Sequence, residues 1–438
     1  MQANPTLDYP IPLAASTRAV TPAGISRKVV AASVCGNALE FYDFVTYAFF
    51  AVYIGRAFFP AATPLSSLLL SVAVFGVGFV SRPLGGILIG AYADRAGRKP
   101  AMLLTIALIT VGTLGLAITP SYDSIGLAAP IIVVLCRLVQ GLALGGEIGP
   151  SSAFLIEGAP LNQRGLFGSW QLASQGAATL VAGLMGMGLT FTLSPADLQA
   201  WGWRVPFAVG LLLIPIAVYL RRAMPETLVQ PRSDSSGGVP ATLGSHRRLI
   251  VLSILAVLGG TVSTYVGNYM TTYAITTLKF APTMAMAATV VGGLSTLVFA
   301  LLGGWLSDRI GRRPVMLVPR ILAAVLSYPA FLWLVDMKTP AALFAVTALL
   351  GALTALSGAA SLVAIPELFP RRLRAIGMSI AYAVGVALFG GTTQFVITWL
   401  IGATGNPASP ALYVAATSVL AALGMYLLPE SHRRELQE

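Results

Sequence analysis

Gly90–Pro100 reads G-A-Y-A-D-R-A-G-R-K-P, a short charged turn set between two long apolar runs. Asp94, Arg95, Arg98 and Lys99 crowd around Gly97. A near copy, G-G-W-L-S-D-R-I-G-R-R-P, occupies Gly303–Pro314, and its Asp308 stands 214 residues after Asp94 in a chain of 438. A second set repeats beside it. Glu157, Pro160 and Arg164 recur as Glu367, Pro370 and Arg374 with identical spacing, 210 residues on. One half of the chain therefore reads as a copy of the other, with a charged turn at the same place in each.

Composition says what the apolar runs are. The chain is 56% hydrophobic and 10% charged, with a mean hydropathy of +0.81, whereas a soluble domain has about 25% charged residues. Apolar runs of about 18 residues or more read as membrane helices, and repeated runs of that length have no place in a soluble core. Cys35 and Cys136 fall inside apolar runs, and His246 and His432 in polar segments. That is neither a disulfide framework nor a metal site. The first 26 residues are polar, without the charged start and apolar stretch of a signal peptide. No G-x-x-x-x-G-K-[ST] phosphate loop occurs, so no nucleotide cofactor or ATP-driven pump is expected.

The expected fold is all-α and integral to a membrane, with twelve spans at 29–56, 65–92, 101–119, 125–156, 166–192, 203–222, 248–274, 284–306, 315–335, 341–363, 375–401 and 410–428. Of the 27 Lys and Arg, 20 fall on the side of the N-terminus, and Arg56, Arg204, Lys279 and Lys338 fall on the other. The positive-inside rule then puts both termini in the cytoplasm. The net charge of +11 is thus a topology signal and calls for no nucleic-acid partner. Residues 223–247 are polar and rich in Pro, Ser and Gly, as a flexible linker is. The expected organisation is a tail over 1–28, a six-helix half over 29–222, the linker over 223–247, a second six-helix half over 248–428 and a tail over 429–438. Two such halves imply a substrate site at their interface near mid-membrane.

The paired D-R-x-G-R-[RK] turns, the R-x-x-Q-G motif at Arg137–Gly141 and the six-plus-six layout resemble the major facilitator superfamily over nearly the whole chain. G-N-A-L-E-F-Y-D-F at Gly36–Phe44, R-P-L-G-G at Arg82–Gly86 and W-G-W-R-V-P-F at Trp201–Phe207 resemble its metabolite:proton symporters. G-A-Y-A-D-R and G-S-W-Q-L-A-S-Q at Gly168–Gln175 look most like the bacterial citrate and tricarballylate carriers. The resemblance implies a transporter and not an enzyme. It works as a monomer in the bacterial inner membrane and moves a small organic anion with protons by alternating access. The same family includes carriers of proline or betaine and of 2-oxoglutarate or shikimate. The resemblance also gives Asp94, Arg95, Gly97 and Arg98, and Asp308, Arg309, Gly311 and Arg312, a gating role at the cytoplasmic side. An Asp there can accept bonds from an Arg and from a helix N-terminus. Glu157 with Arg164, and Glu367 with Arg374, are expected to join that network.

Ionisable groups inside spans are functional candidates by default. Glu40, Asp43 and Tyr47 lie within about 60° on the first helix, with Asn37 about 60° further round. Either carboxylate is a candidate carrier of the coupling proton or the partner of an Arg. Arg82 and Arg137 also lie inside spans. A guanidinium suits carboxylate recognition because it bonds bidentately and stays charged. One is expected to face substrate and the other a protein carboxylate. Glu147 is a proton relay or an ion-pair partner. Arg320, near the start of the ninth span, either snorkels to the cytoplasm or faces the cavity. Gln171, Ser174 and Gln175 share a face of the fifth span, and Tyr265, Asn268, Tyr269 and Thr272 share one of the seventh. Tyr382 and Gln394 mark the eleventh. Each polar stripe reads as substrate contact or as interhelical glue.

Overall fold

The computed structural model describes residues 27–96, 98–145, 155–156, 159–223, 246–370, 377–378, 380–382 and 384–432. Among the described residues there is no strand. The first span is α1 (Arg27–Phe49) and α2 (Ala51–Phe58), interrupted at Phe50. The second is α3 (Pro64–Val80) and α4 (Arg82–Ala96), interrupted at Ser81. The first half continues with α5 (Arg98–Ile118), α6 (Tyr122–Ile125), α7 (Ala128–Gly145), α8 (Arg164–Thr192), α9 (Pro195–Ala200) and α10 (Val205–Ala223). The second half holds α11 (Arg247–Thr276), α12 (Pro282–Ile310), α13 (Arg312–Met337), α14 (Pro340–Leu368), α15 (Gly391–Thr404) and α16 (Ser409–Leu427). A π-helical turn at Val386–Gly390 leads into α15.

Among the described residues, ten stretches are long and apolar enough to cross a membrane. The α1–α2 pair, which carries Glu40 and Asp43, and α10 complete twelve spans. Helices of 29 residues such as α8, α12 and α14 reach about 44 Å, longer than a hydrocarbon core of about 30 Å, so they tilt or project. Of the expected linker, residues 224–245 lie outside the described residues.

The halves meet along α8 and α12, the most extensive helix pair in the fold. Glycines allow it: a Cβ on Gly176 would stand 2.5 Å from the Leu297 backbone nitrogen, and one on Gly183 2.9 Å from that of Val290. Small residues let membrane helices approach this closely. Further contacts between halves run from α3 to α15, α8 to α14 and α1 to α11. The Trp201–Phe207 motif is structural. Trp203 is fully buried against Phe58 and Phe207. The Arg204 guanidinium donates to the Thr119 carbonyl at 3.0 Å, and the Tyr42 hydroxyl to that of Pro206 at 3.1 Å. These bonds tie α1 and α5 to the start of α10 and so fix the frame around Asp43.

Candidate substrate and proton site

A cavity of about 150 Å³ lies between the halves. Gln171 and Gln175 of α8 and Tyr265 and Asn268 of α11 line it, and Arg82 and Arg320 are its charged lining residues. Arg320 does not snorkel to a helix end: it is fully buried. One Nη donates to the Gly259 carbonyl at 2.8 Å and to Ser263 Oγ at 3.0 Å. Its Nε and Nη2 have no partner among the described residues. Gly259 makes room, since a Cβ there would stand 3.3 Å from Arg320 Cδ. A buried guanidinium with two unanswered donors is costly unless an anion completes it.

Arg82, the first residue of α4, faces it from the other half. Its guanidinium lies over Phe79 at 3.9 Å and Phe44 at 5.0 Å, beside the Tyr265 hydroxyl, and its Nε is unpartnered. Phe44, Phe75, Phe79 and Tyr265 form one edge-to-face cluster. Their ring faces hold the chain's own cations, Arg82 and, beneath it, Arg137, which sits over Tyr47 at 4.5 Å. Desolvated cation–π contacts of this kind contribute about 2 kcal/mol each.

The carboxylates occupy a separate place inside the first half. Asp43 Oδ1 accepts from Thr113 Oγ1 at 2.8 Å, and Oδ2 from Gln140 Nε2 at 2.7 Å. Gln140 Oε1 accepts from Arg137 at 2.8 Å. The amide thus bridges an acid on α1 to a base on α7. Glu40 and Asp43 border a small cavity shared with Arg82 and Arg137, and a second one between α1, α5 and α10. Neither carboxylate lines the central cavity. Of the two candidate arginines, then, Arg82 reaches the central cavity and Arg137 is linked to Asp43. The residues that sequence reasoning missed are Gln140 and Thr113. Gln140 was within reach, because it lies three residues after Arg137 and hence on the same helix face.

The polar stripes divide. Asn37 is engaged between helices: its amide donates to Ser174 Oγ at 2.6 Å and to the Gln171 carbonyl at 3.0 Å, and it accepts from Gln171 Nε2 at 2.9 Å. The Tyr47 hydroxyl donates to the Ser71 carbonyl at 3.2 Å. Tyr265 and Asn268 face the cavity, as does Tyr382. Tyr269 accepts from Thr398 at 2.8 Å, and Thr272 reaches the Ala48 carbonyl at 3.5 Å, joining the halves above the cavity. Gln394 is fully buried on α15 and is not among the cavity's lining residues.

Below the cavity, the Asp308 carboxylate accepts the backbone N–H groups of Gly165 and Leu166 at 2.8 Å each, at the N-terminus of α8. Arg312 donates to Asp308 at 2.7 Å and bidentately to Glu367 at 3.1 and 3.2 Å. Arg312 and Ser431 both donate to the Glu367 carboxylate, whose expected partner Arg374 is outside the described residues. The tail adds Glu430, which accepts the N–H groups of Arg312 and Arg313 at 3.0 and 2.9 Å. Arg309 instead lies over the Trp305 ring at 4.1 Å. Arg164 opens α8. Gly97, Glu147, Glu157 and Arg374 lie outside the described residues, as do the side chains of Asp94, Arg95 and Arg98. Among the described residues no cluster could hold a metal ion.

Comparison with known proteins gives a consistent result. A family model described as "Sugar (and other) transporter" matches residues 28–237, and the "Major Facilitator Superfamily" model matches 252–438. A citrate-proton symporter of Salmonella typhi is 38% identical over 89% of this chain and 91% of its own length. One of Klebsiella pneumoniae is 34% identical over 88% and 87%. The alpha-ketoglutarate permease of Escherichia coli (strain K12) is 36% identical over 82% and 84%. Among solved structures, a D-xylose-proton symporter superposes with a TM-score of 0.76 at 20% identity, covering 93% of this chain and 99% of the other.

Proposed function

Because the chain belongs to the major facilitator superfamily, we propose that it is a proton-coupled symporter of a small organic anion, a di- or tricarboxylate such as citrate. The observation that carries this reading is the pair of buried arginines, one from each half, facing a cavity that no carboxylate lines among the described residues. Their unpartnered nitrogens suit carboxylates bidentately. Gln171, Gln175, Tyr265 and Asn268 supply neutral bonds around them. Asp43, with Glu40 beside it, carries the coupling proton, and Arg137 through Gln140 holds Asp43 in place. The relatives' names, citrate-proton symporter and alpha-ketoglutarate permease, support both the anion and the proton. An osmolyte substrate, as in the proline/betaine transporter at 30% identity, is the second reading. The aromatic faces that would greet a quaternary ammonium already hold Arg82 and Arg137.

In this reading the Asp308–α8 contact closes the cytoplasmic side and must break for inward opening. The protein sits as a monomer in a bacterial inner membrane, with both termini cytoplasmic and one six-helix half on each side of the 223–247 linker. The test is uptake of radiolabelled citrate into proteoliposomes, with and without an inward proton gradient, competed by tricarballylate, 2-oxoglutarate, shikimate and betaine. Gradient-driven citrate uptake is expected, with Asp43→Asn abolishing accumulation but sparing citrate–citrate exchange. Strong betaine or proline uptake without citrate uptake would refute the carboxylate reading.

A further inference from the structure

Glu40 and Asp43 also line a chamber of about 40 Å³ that the substrate cavity does not include. Its walls come from three helices: Gly36 and Leu39 of α1, Ile106, Ile109 and Thr113 of α5, and Gly210 and Ile214 of α10. The chamber is directional. α1 and α5 run away from the side of Arg27 and Arg98, and α10 runs toward it. Asp43, Thr113 and Gly210 therefore stand at one end, and Gly36, Ile106 and Ile214 at the other. Seven residues of helix separate Gly36 from Asp43, about 10 Å at 1.5 Å per residue. A water needs about 10–15 Å³, so the chamber has room for about three or four.

Its polar groups are placed for water. Thr113 and the two carboxylates stand at the inner end. Among the described residues, the other charged and titratable groups near Asp43 are Arg137 and Arg82, across the smaller cavity, and the Tyr42 phenol. The arginines lie toward the substrate side, and among the described residues that line the α1–α5–α10 chamber none is a cation.

We infer that the coupling proton leaves Asp43 through this chamber, between α1, α5 and α10, and not through the cavity that releases the substrate. The carboxyl O–H bond breaks, its electron pair stays on Asp43, and a chamber water takes the proton toward the Gly36–Ile106–Ile214 end. This rests on the reading of Asp43 and Glu40 as the coupling carboxylates, and Asp43→Asn tests that reading by itself. If Asp43→Asn still accumulates citrate on a proton gradient, the coupling assignment fails whatever the chamber does.

The chamber is tested by filling it, with Ile106→Phe and Ile214→Phe in the full-length protein in proteoliposomes, radiolabelled citrate outside and a pH-sensitive dye within. Net uptake needs the proton to leave, whereas citrate–citrate exchange does not. Both variants are expected to slow proton-driven uptake and citrate-linked lumen acidification by about tenfold or more, with exchange near the wild-type rate. Ile214→Ala, which widens the chamber, is expected to keep both. Driven uptake unchanged in the filled variants overturns the inference, and so does an equal loss of uptake and exchange.

Discussion

Gln140 has one amide to spend and spends both ends of it between opposite charges. It donates to Asp43 and Thr113 and accepts from Arg137. Replacing it with Leu leaves a buried carboxylate oxygen and a guanidinium nitrogen without their partners, which costs about 1–3 kcal/mol for each group. Gln140→Leu is therefore expected to melt several degrees lower in detergent and to shift the pH profile of transport, because Asp43 loses a donor that favours its charged form. A Gln140→Leu protein with unchanged melting and pH profile would show the bridge to be idle. At this scale the sequence is half informative. Arg137 and Gln140 share a helix face by spacing alone. That their partner is Asp43 depends on the packing of the helices that carry them, and spacing along one chain says nothing of that.

At the scale of elements, the N-terminus of α13 is held by a residue 118 positions away, Glu430. Gly311 precedes it with φ +103°, a conformation open to glycine and strained for any other residue. Burial pushes the Glu430 carboxyl up, but the backbone N–H groups of Arg313, His432, Arg312 and Ser431 outweigh it and hold it below its usual range. A depressed folded value contributes stability that is full above the unfolded pKa and is lost as pH falls through the folded one. Glu430→Gln is expected to lose about 1 kcal/mol at neutral pH, as removal of a helix cap does. The gap in melting temperature from wild type should close as pH drops below about 4. The charged turn at Gly303–Pro314 was legible as a turn, and Asp308 as a group for a helix N-terminus. The tail's part was not, because Glu430, Ser431 and His432 form no recognisable pattern until α16 returns them to the turn. Nor was the interruption at Phe50, where the hydropathy runs on without a break, whereas Arg82 and Pro83 do mark the one at Ser81.

For the molecule as a whole, the internal repeat was enough to read two six-helix halves, because apolar length and repeated turns survive in sequence with no knowledge of packing. The cavity was less legible. Arg320 lies close enough to a helix end to snorkel, and only its burial and its bonds to Gly259 and Ser263 show that it turns inward. The cross-half pair yields a prediction at this scale. Arg320→Gln is expected to weaken citrate about a hundredfold, in line with about 2–5 kcal/mol for removing one partner of a buried charge pair. A monocarboxylate that needs only Arg82 should change little. Competition curves in the same proteoliposomes would measure both, and equal losses for the two ligands would argue against two-point recognition.

The two unanswered nitrogens of Arg320 also bear on the order of speeds in the cycle. A carrier that closes around citrate encloses a matched set of charges. Closing empty encloses a bare cation, which the low-dielectric interior penalises. The return of the vacant carrier is then the slow leg. Vesicles preloaded with unlabelled citrate should take up labelled citrate faster than empty ones at the same proton gradient, and Arg320→Gln should erase that acceleration.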